Sequence, residues 1–438
     1  MFEVFTLLLN SKYFQIPEML RLSQVGSQLP RLCLQARAQH GIVSSPLPSQ
    51  AQVVIAGAGM IGNSIAYHLV KKGWTDIVII EKGQIADGTS KYGSGMLGLF
   101  RPQHERKIVQ YCIDLYQALE EEGYDLGLNH CGSVNLATTK DRMVSLRRRA
   151  SAYRPTGVEC HLLEPDQVKE KHPFVNTEDV IGGVWMPKDA SVDAGKVSEV
   201  FAYIASQGGA KFVSGCGVQK VLTSKEPVAV TVSGQPVRHS TRHITVSGVE
   251  TDKGVINCDY FINTAGIWAK EIGRKMDIEI PVRIPICPAE HFFLTFKPIK
   301  ELEGKKLPVV RDYDSHIYCR QYGESFMMGA FESLARPWDV VRHGTDPEWN
   351  HVKEEHWLHF QSYISQAQHR LPILKEAQYD QLINTPDAFT PDGKWILGEA
   401  PEVGRYFVSI SRKYYSHYDT VSSKIVMSQN TRSYDPLN

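Results

Sequence analysis

The sequence predicts an α/β fold built on a parallel sheet and interleaved with a second, β-rich domain. Three observations carry that prediction. A strand, a glycine turn, a helix and a second strand follow one another within residues 51–81. Strands of the same kind return only after a long interruption, near residues 210–213 and 260–266. The remaining chain reads as short alternating strands separated by turn residues, the pattern of an antiparallel sheet.

Residues 51–56 form a short β-branched run that ends in glycines, as a buried strand does. Residues 63–72 carry Ile65, Ala66, Leu69 and Val70 at helical spacing, and Gly73 stops the helix. Residues 77–80 are a second buried strand, closed by Glu81. A helix is expected over 106–122, with Ile108, Tyr111, Cys112, Leu115, Tyr116 and Leu119 on one face. A strand at 132–136 begins a different region, and segments near 163–165 and 184–187 fit an antiparallel sheet with helices. Residues 197–206 read as helix; 210–213 and 218–222 read as paired short strands. Residues 224–243, rich in Ser, Pro, Thr and basic side chains, suggest a surface hairpin or loop. Strands follow at 246–250, 255–258 and 260–262, the last running into Asn263-Thr264-Ala265-Gly266. Residues 284–296, 316–320 and 325–331 supply a second sheet.

Composition narrows the function classes. The chain has 438 residues, 42% hydrophobic and 22% charged, with a formal net charge of +0. That balance gives no electrostatic footprint for nucleic acid, and no apolar run is long enough to span a membrane. The eight cysteines are scattered without a Cys-x-x-Cys pair, so no metal site is read and a reducing compartment fits. From Met19 to Thr75 there is no acidic residue, while Arg21, Arg31 and Arg37 sit among Leu, Ser and Gln. This is the composition of a mitochondrial presequence, with Met19 as an alternative start and a plain tail as the competing reading. The expected location is the mitochondrial matrix.

The motif with most chemical content is Gly57-x-Gly59-x-x-Gly62, including Met60 and Ile61. The first glycine makes a tight turn, the second admits a pyrophosphate to the backbone, and the third allows close helix packing. The helix N-terminus offers N–H groups and a favourable dipole to phosphate. Glu81 lies nineteen residues beyond Gly62, where an acid binds ribose hydroxyls. Dinucleotide binding follows. After Glu81-Lys82 the chain departs into Gly88-Thr89-Ser90-Lys91-Tyr92-Gly93-Ser94-Gly95-Met96, and returns to a dinucleotide-type strand only at Ala265-Gly266. An NAD domain would continue uninterrupted; the split layout favours FAD.

The glycine turn, Glu81-Lys82, Gly88-Thr89-Ser90 and Asn263-Thr264-Ala265-Gly266 with Trp268 resemble the D-amino-acid-oxidase superfamily of FAD-dependent oxidoreductases. Within it, the branch of dimethylglycine and sarcosine dehydrogenases is the nearer match. Residues 248–254, Glu290-His291-Phe292-Phe293 and Phe389-Thr390-Pro391-Asp392 resemble most the regulatory subunit of mitochondrial pyruvate dehydrogenase phosphatase. The resemblance implies a two-dinucleotide-binding, Rossmann-like FAD domain interleaved with a β-rich substrate domain. It implies an FAD domain from 51–135, 196–272 and an incomplete 381–410, and a substrate domain from 136–195 and 273–380, between a leader (1–50) and a divergent tail (411–438). Implied cofactor contacts are Gly57, Gly59, Met60, Ile61, Gly62, Glu81, Lys82, Gly88, Thr89, Ser90, Tyr92, Gly95, Met96, Val218, Ala265, Gly266 and Trp268.

Two departures bear on catalysis. The dehydrogenases carry a Trp-His pair whose histidine attaches to the flavin, and here Lys91-Tyr92 stands there, so FAD is expected to be held noncovalently. After Val408 the family continues with a glycine-rich turn and a closing helix, whereas residues 411–418 are polar and tyrosine-rich. His291 is the candidate active-site imidazole, with a satisfied core histidine as the alternative. Tyr318 and Arg320 share a strand face, and Arg320 could pair with a substrate carboxylate, with a surface or interdomain salt bridge as the alternative. Arg147-Arg148-Arg149 reads as a solvated helix face, and Asp189 and Asp193 as turn residues. Two functions remain open: a flavin-containing regulator contacting the phosphatase catalytic subunit, or an active dehydrogenase or oxidase of N-methylated glycine-type amines.

Overall fold

The computed structural model describes residues 42–225, 231–232, 235–236, 244–339 and 351–410. The leader reading over 1–41, the tail over 411–438 and most of the 224–243 loop lie outside them. The chain divides into two compact units, each taken by itself. Of the described residues, the first holds 42–130, 189–287 and 387–410; the second holds 131–188 and 288–386.

In chain order the principal elements begin with β1 (Gln50–Ala56), α1 (Met60–Lys71), β2 (Ile77–Glu81) and α2 (Gln103–Glu121). They continue with β3 (Ser133–Ala137), α3 (Lys140–Tyr153), β4 (His161–Leu163), α4 (Pro165–Lys171), β5 (Gly182–Met186) and α5 (Ala194–Gln207). Next come β6 (Lys211–Ser214), β7 (Val218–Lys225), β8 (Ile244–Thr251), β9 (Gly254–Asn263), α6 (Ala269–Arg274) and β10 (Phe292–Phe296). The chain closes with β11 (Val309–Asp312), β12 (Ile317–Tyr322), β13 (Ser325–Ala330), α7 (Glu354–Arg370), β14 (Tyr379–Asn384), β15 (Ile396–Glu399) and β16 (Tyr406–Ile410).

The first unit carries an eight-stranded sheet in the order β15-β16-β9-β1-β2-β6, with β8 pairing β9 and β7. Strands β16, β9, β1, β2 and β6 run parallel; Ala56 lies beside Asn263 on one side and Ile80 on the other. Strands buried on both faces have no reason to alternate, which is why β2 reads Ile-Val-Ile-Ile. Val53, Ile55, Ile65, Leu69, Ile77, Ile79, Phe212 and Phe407 form the core between sheet and helices. Each such side chain contributes roughly 1.5–3 kcal/mol on full burial. Asn63, fully buried, ties α1 to α5 by donating its Nδ2 to Ala58 O (2.9 Å) and Ser198 O (3.1 Å).

Two expectations are corrected in this unit. Residues 210–213 and 218–222 do not pair with each other: β6 joins β2 in parallel, and β7 joins β8 antiparallel. The chain between them is turned aside at Gly215 (φ +60°), and Gly217 N–H is bound by the Asp252 carboxylate. The strands expected at 255–258 and 260–262 are one strand, β9. Its first half pairs antiparallel with β8 and it runs on as the central parallel neighbour of β1.

The second unit carries an eight-stranded sheet in the order β14-β10-β13-β12-β11-β3-β5-β4. Only β11 and β3 run parallel; the other pairs are antiparallel. One sheet face supplies Val134, Leu136, Phe292, Leu294, Val310, Ile317, Cys319, Phe326 and Met328 to the core. Helix α7 covers that face with Phe360, Ile364 and Ala367 at helical spacing, and was not read from the sequence. Arg370, fully buried at the end of α7, donates to Asp312 Oδ2 (2.8 Å) and bidentately to Asp179 (2.8 and 2.9 Å).

Candidate functional site

In the first unit the three glycines gather at the carboxyl ends of β1 and β9, where open α/β sheets bind ligands. Gly57 has φ +106°, and a Cβ there would lie 2.8 Å from Thr264 O. A Cβ on Gly62 would lie 1.9 Å from Gly57 O and 2.8 Å from Thr264 Oγ1. These glycines are therefore required by the backbone itself, before any ligand enters. Thr264 completes the turn by donating its hydroxyl to Ala56 O at 2.8 Å. Gly59 is the N-cap of α1, whose first turn holds no acid and no side-chain cap from that residue. The helix dipole is left to an anion.

Glu81 stands at the end of β2, with Oε2 accepting from Ala58 N–H (2.8 Å) and Oε1 from Gly83 N–H (2.8 Å). Burial raises its pKa, and the N–H groups of Gly83 and Ala58 oppose that rise. Ser90 approaches the same turn: its Oγ accepts from Met60 N–H at 2.8 Å, beside Gly59. Ser90 and Tyr92 lie in a short 3₁₀ turn, Thr89–Tyr92, that opens after Gly88. Lys91 in that turn pairs with Asp87 (3.0 Å), and its ammonium lies 5.8 Å from the Tyr92 ring centre.

Gly95 has φ +63° and packs on the Val192 carbonyl, and Met96 pairs with Ser191 in a short antiparallel bridge of strands. Val218 begins β7, and Lys82 packs its stem near Gly217. Ala265 N–H is bound by Asn263 Oδ1 (3.2 Å), Gly266 has φ +53°, and Trp268 lies in the 3₁₀ turn Gly266–Trp268. Met60 and Ile61 form the first turn of α1. All of these expected cofactor residues belong to the first unit. A positive-φ turn, a helix N-terminus free of acid and a carboxylate at the neighbouring strand end fit the ADP portion of FAD. Thr264 and Asn63 were not given these roles from sequence; a buried asparagine directly after Gly62 was the available signal.

In the second unit the sheet face turned from the core carries several polar side chains beside Val309, Phe293 and Met327. Arg311 faces Tyr318 across β11 and β12, and faces Asn135 across β11 and β3. Arg311 donates to Ser133 Oγ (3.0 Å), and Tyr313 donates to Asn135 Oδ1 (2.9 Å). Tyr318 lies over Gly329, where a Cβ would meet its ring at 2.2 Å. Tyr318 and Arg320 do share this face, with Cys319 in the core between them. The Arg320 guanidinium lies 5.0 Å from the Tyr322 ring centre and donates to Gln321 O (3.3 Å).

His291, buried just before β10, sits with Nδ1 3.0 Å from Glu332 Oε2. The other Glu332 oxygen is 3.8 Å from His359 Nε2 on α7. Beside them, Glu290 accepts from Asn384 Nδ2 (3.2 Å) and lies 3.5 Å from His356 Nε2. Burial raises the Glu290 pKa, and burial lowers those of His356 and His359. Glu332, His356 and His359 were missed because α7 and the segment after β13 were not read. No cluster able to hold a metal ion occurs among the described residues. Arg147 and Arg148 are exposed on α3, as a solvated face requires, while Asp193 caps α5 and buried Asp189 binds Leu99 N–H (2.8 Å).

Comparison with known proteins agrees with this geometry. A family model described as FAD dependent oxidoreductase (DAO) matches residues 52–415. The mouse regulatory subunit of mitochondrial pyruvate dehydrogenase phosphatase is 38% identical over 368 residues, covering 83% of this chain and 39% of that protein. Human mitochondrial sarcosine dehydrogenase is 29% identical, covering 83% of this chain and 38% of that protein. The chain thus spans about two fifths of the length of these relatives. Among solved structures, L-proline dehydrogenase from P. horikoshii superposes with a TM-score of 0.69 at 22% identity, covering 83% of this chain and 88% of that one. Glycine oxidase from Geobacillus kaustophilus gives 0.67 at 22% identity, covering 83% and 90%. With the glycine turn, Glu81 and the split parallel sheet in place, the chain belongs to the family of FAD-dependent oxidoreductases.

Proposed function

We propose that this chain is a mitochondrial FAD-binding protein of the regulatory type, which acts on the pyruvate dehydrogenase phosphatase catalytic subunit by protein contact. The observation that carries the reading is the 38% identity to the phosphatase regulatory subunit. Lys91-Tyr92 supports it, because a phenol in that turn offers no imidazole for attachment to the flavin. FAD is then held noncovalently by Gly57, Gly59, Gly62, Glu81, Ser90 and the residues that follow Asn263, in the mitochondrial matrix. The acid-poor stretch from Met19 to Thr75 supports that location.

A second reading is kept by one specific feature, the buried contact between His291 and Glu332 on the unit that also carries Arg311 and Arg320. In that reading the chain oxidises an N-methylated glycine-type amine, with the flavin as hydride acceptor. Arg320 or Arg311 then holds the substrate carboxylate, and His291 manages a proton. One experiment separates the two. The purified chain is precipitated with acid to see whether flavin is released, tested for binding to the phosphatase catalytic subunit, and mixed anaerobically with dimethylglycine or sarcosine. Released flavin, phosphatase binding and an unbleached spectrum are expected. Bleaching without phosphatase binding overturns the regulatory reading.

A further inference from the structure

Residues 248–254 have no part in the glycine turn, yet the tip they form reaches a different segment of the first unit. Thr251 closes the turn between β8 and β9 by itself: its hydroxyl donates to Gly254 O (2.8 Å) and accepts from Lys253 N–H (3.1 Å), and Gly254 takes φ +128°. An aspartate in such a turn ordinarily bonds its own main chain. Asp252 instead accepts from Gly217 N–H with both carboxylate oxygens (3.0 and 3.1 Å), and its own N–H donates to Gly217 O (3.1 Å). The Lys253 ammonium donates to Ser214 O (2.7 Å). The tip therefore grips the connection between β6 and β7 at both ends.

That connection in turn holds the end of β2. Cys216 N–H donates to Glu81 O (2.8 Å) and Gly215 N–H to Gly83 O (3.1 Å), just beyond the point where Glu81 lies beside Ser214 in the parallel ladder. Gly83 N–H then binds Glu81 Oε1, and Ala58 N–H binds Oε2. Burial raises the Glu81 pKa, and the Gly83 N–H is the first group to oppose that rise. Whatever fixes Gly83 thus also favours the ionised carboxylate. The approach of the tip is close: a Cβ on Gly217 would lie 3.2 Å from Asp252 Oδ2 and 3.6 Å from Lys82 Cγ. A bond to a charged acceptor is roughly twice as strong as a neutral one, and Gly217 is buried. The Lys253 bond is exposed, where water competes, so Asp252 is the stronger grip.

We propose that Asp252 is a positioning residue for FAD. Through residues 214–217 it fixes the Glu81–Gly83 turn, and so holds the Glu81 carboxylate where an acid accepts the ribose hydroxyls of the ADP portion. Its action passes through Glu81 and is not exerted on the cofactor directly. This role rests on the FAD reading of the glycine turn.

The test uses the full chain, freed of flavin by mild acid, as wild type, Asp252→Ala, Glu81→Gln and the double variant. FAD is titrated into each, and quenching of its fluorescence gives Kd. Asp252→Ala should raise Kd about tenfold, the equivalent of one net hydrogen bond. In the Glu81→Gln background the same substitution should change Kd by less than about twofold, because the carboxylate it positions is gone. Equal weakening in both backgrounds is what a merely structural residue would give, and it overturns the proposal; so does an unchanged Kd in Asp252→Ala. Hydrogen exchange read by mass spectrometry is the second arm. Peptides over 81–83 and 214–217 should exchange faster in Asp252→Ala, and unchanged exchange there overturns the proposal. If Asp252→Ala does not fold, Asp252→Asn replaces it, and a neutral acceptor should give shifts in the same direction. A wild type that takes up no FAD refutes the flavin reading, while the exchange arm still decides whether Asp252 fixes the Glu81–Gly83 turn.

Discussion

His172 offers the sharpest quantitative prediction about stability. It is fully buried in the second unit, and neither ring nitrogen has a hydrogen-bond partner. Its ring stacks on Phe326 (6.2 Å, 27°) and meets Phe174 edge-on (6.3 Å). Burial lowers its pKa from 6.5 to about 4, and its own main chain offsets that only in part. The folded state therefore resists a proton that the unfolded chain accepts. As pH falls below 6.5 the unfolded state is protonated first, so stability present above 6.5 is lost progressively down to about 4. A gap of about 2.5 units at about 1.36 kcal/mol each makes the full loss about 3 kcal/mol. Between pH 7 and pH 5 the same relation gives about 2 kcal/mol.

His172→Phe keeps both ring contacts and removes the titrating, unpaired nitrogens. The variant should lose about 2 kcal/mol less than wild type between pH 7 and pH 5. At pH 7 it should be more stable by about 1–3 kcal/mol, the cost of an unsatisfied buried polar group. The assay is urea unfolding at both pH values, followed by tryptophan fluorescence from Trp185 and Trp357 in the same unit. Equal acid sensitivity in the two proteins would show that His172 is not the neutral, unpaired group described here.

Arg370→Met should cost about 3–5 kcal/mol, because it leaves the fully buried Asp312 carboxylate without its cation; the urea midpoint at pH 7 reads the loss. Gly62→Ala should abolish flavin retention, since its Cβ would sit 1.9 Å from Gly57 O and push α1 off the phosphate turn; flavin absorbance relative to protein after gel filtration measures it. Asn63→Ala removes the bonds that join α1 to the turn and to α5, and should destabilise the first unit by about 1–3 kcal/mol. Thermal unfolding of the flavin-free protein tests that.

The turn at Gly57, Gly59 and Gly62 was legible because its constraints are local: a positive φ, a close helix approach and a strand on each side all leave marks on adjacent residues. Glu81 was legible for a related reason, since one turn of strand–helix–strand fixes how far along the chain the next carboxyl end must lie. The alternation of Tyr318 and Arg320 about Cys319 followed from the period of a strand. Helix α7 was legible in principle through Trp357, Phe360, Ile364 and Ala367, yet was not read.

Other features depended on distance along the chain. Residues 210–213 and 218–222 are near neighbours that pair with strands far from each other, a choice made by which buried edges β2 and β8 present. Glu332 and His291 are 41 positions apart, and nothing local to either marks the other as its partner. The sequence by itself determined a nucleotide-binding turn with its acid, the split between two kinds of sheet, and a phenol rather than an imidazole at Tyr92. Only the tertiary structure decided that Thr264 closes the turn, that Glu81 is held by Ala58 and Gly83, and that His291 answers to a buried glutamate. Backbone geometry is written in neighbouring residues, whereas the pairing of buried charges is set by the sheet order that brings them together.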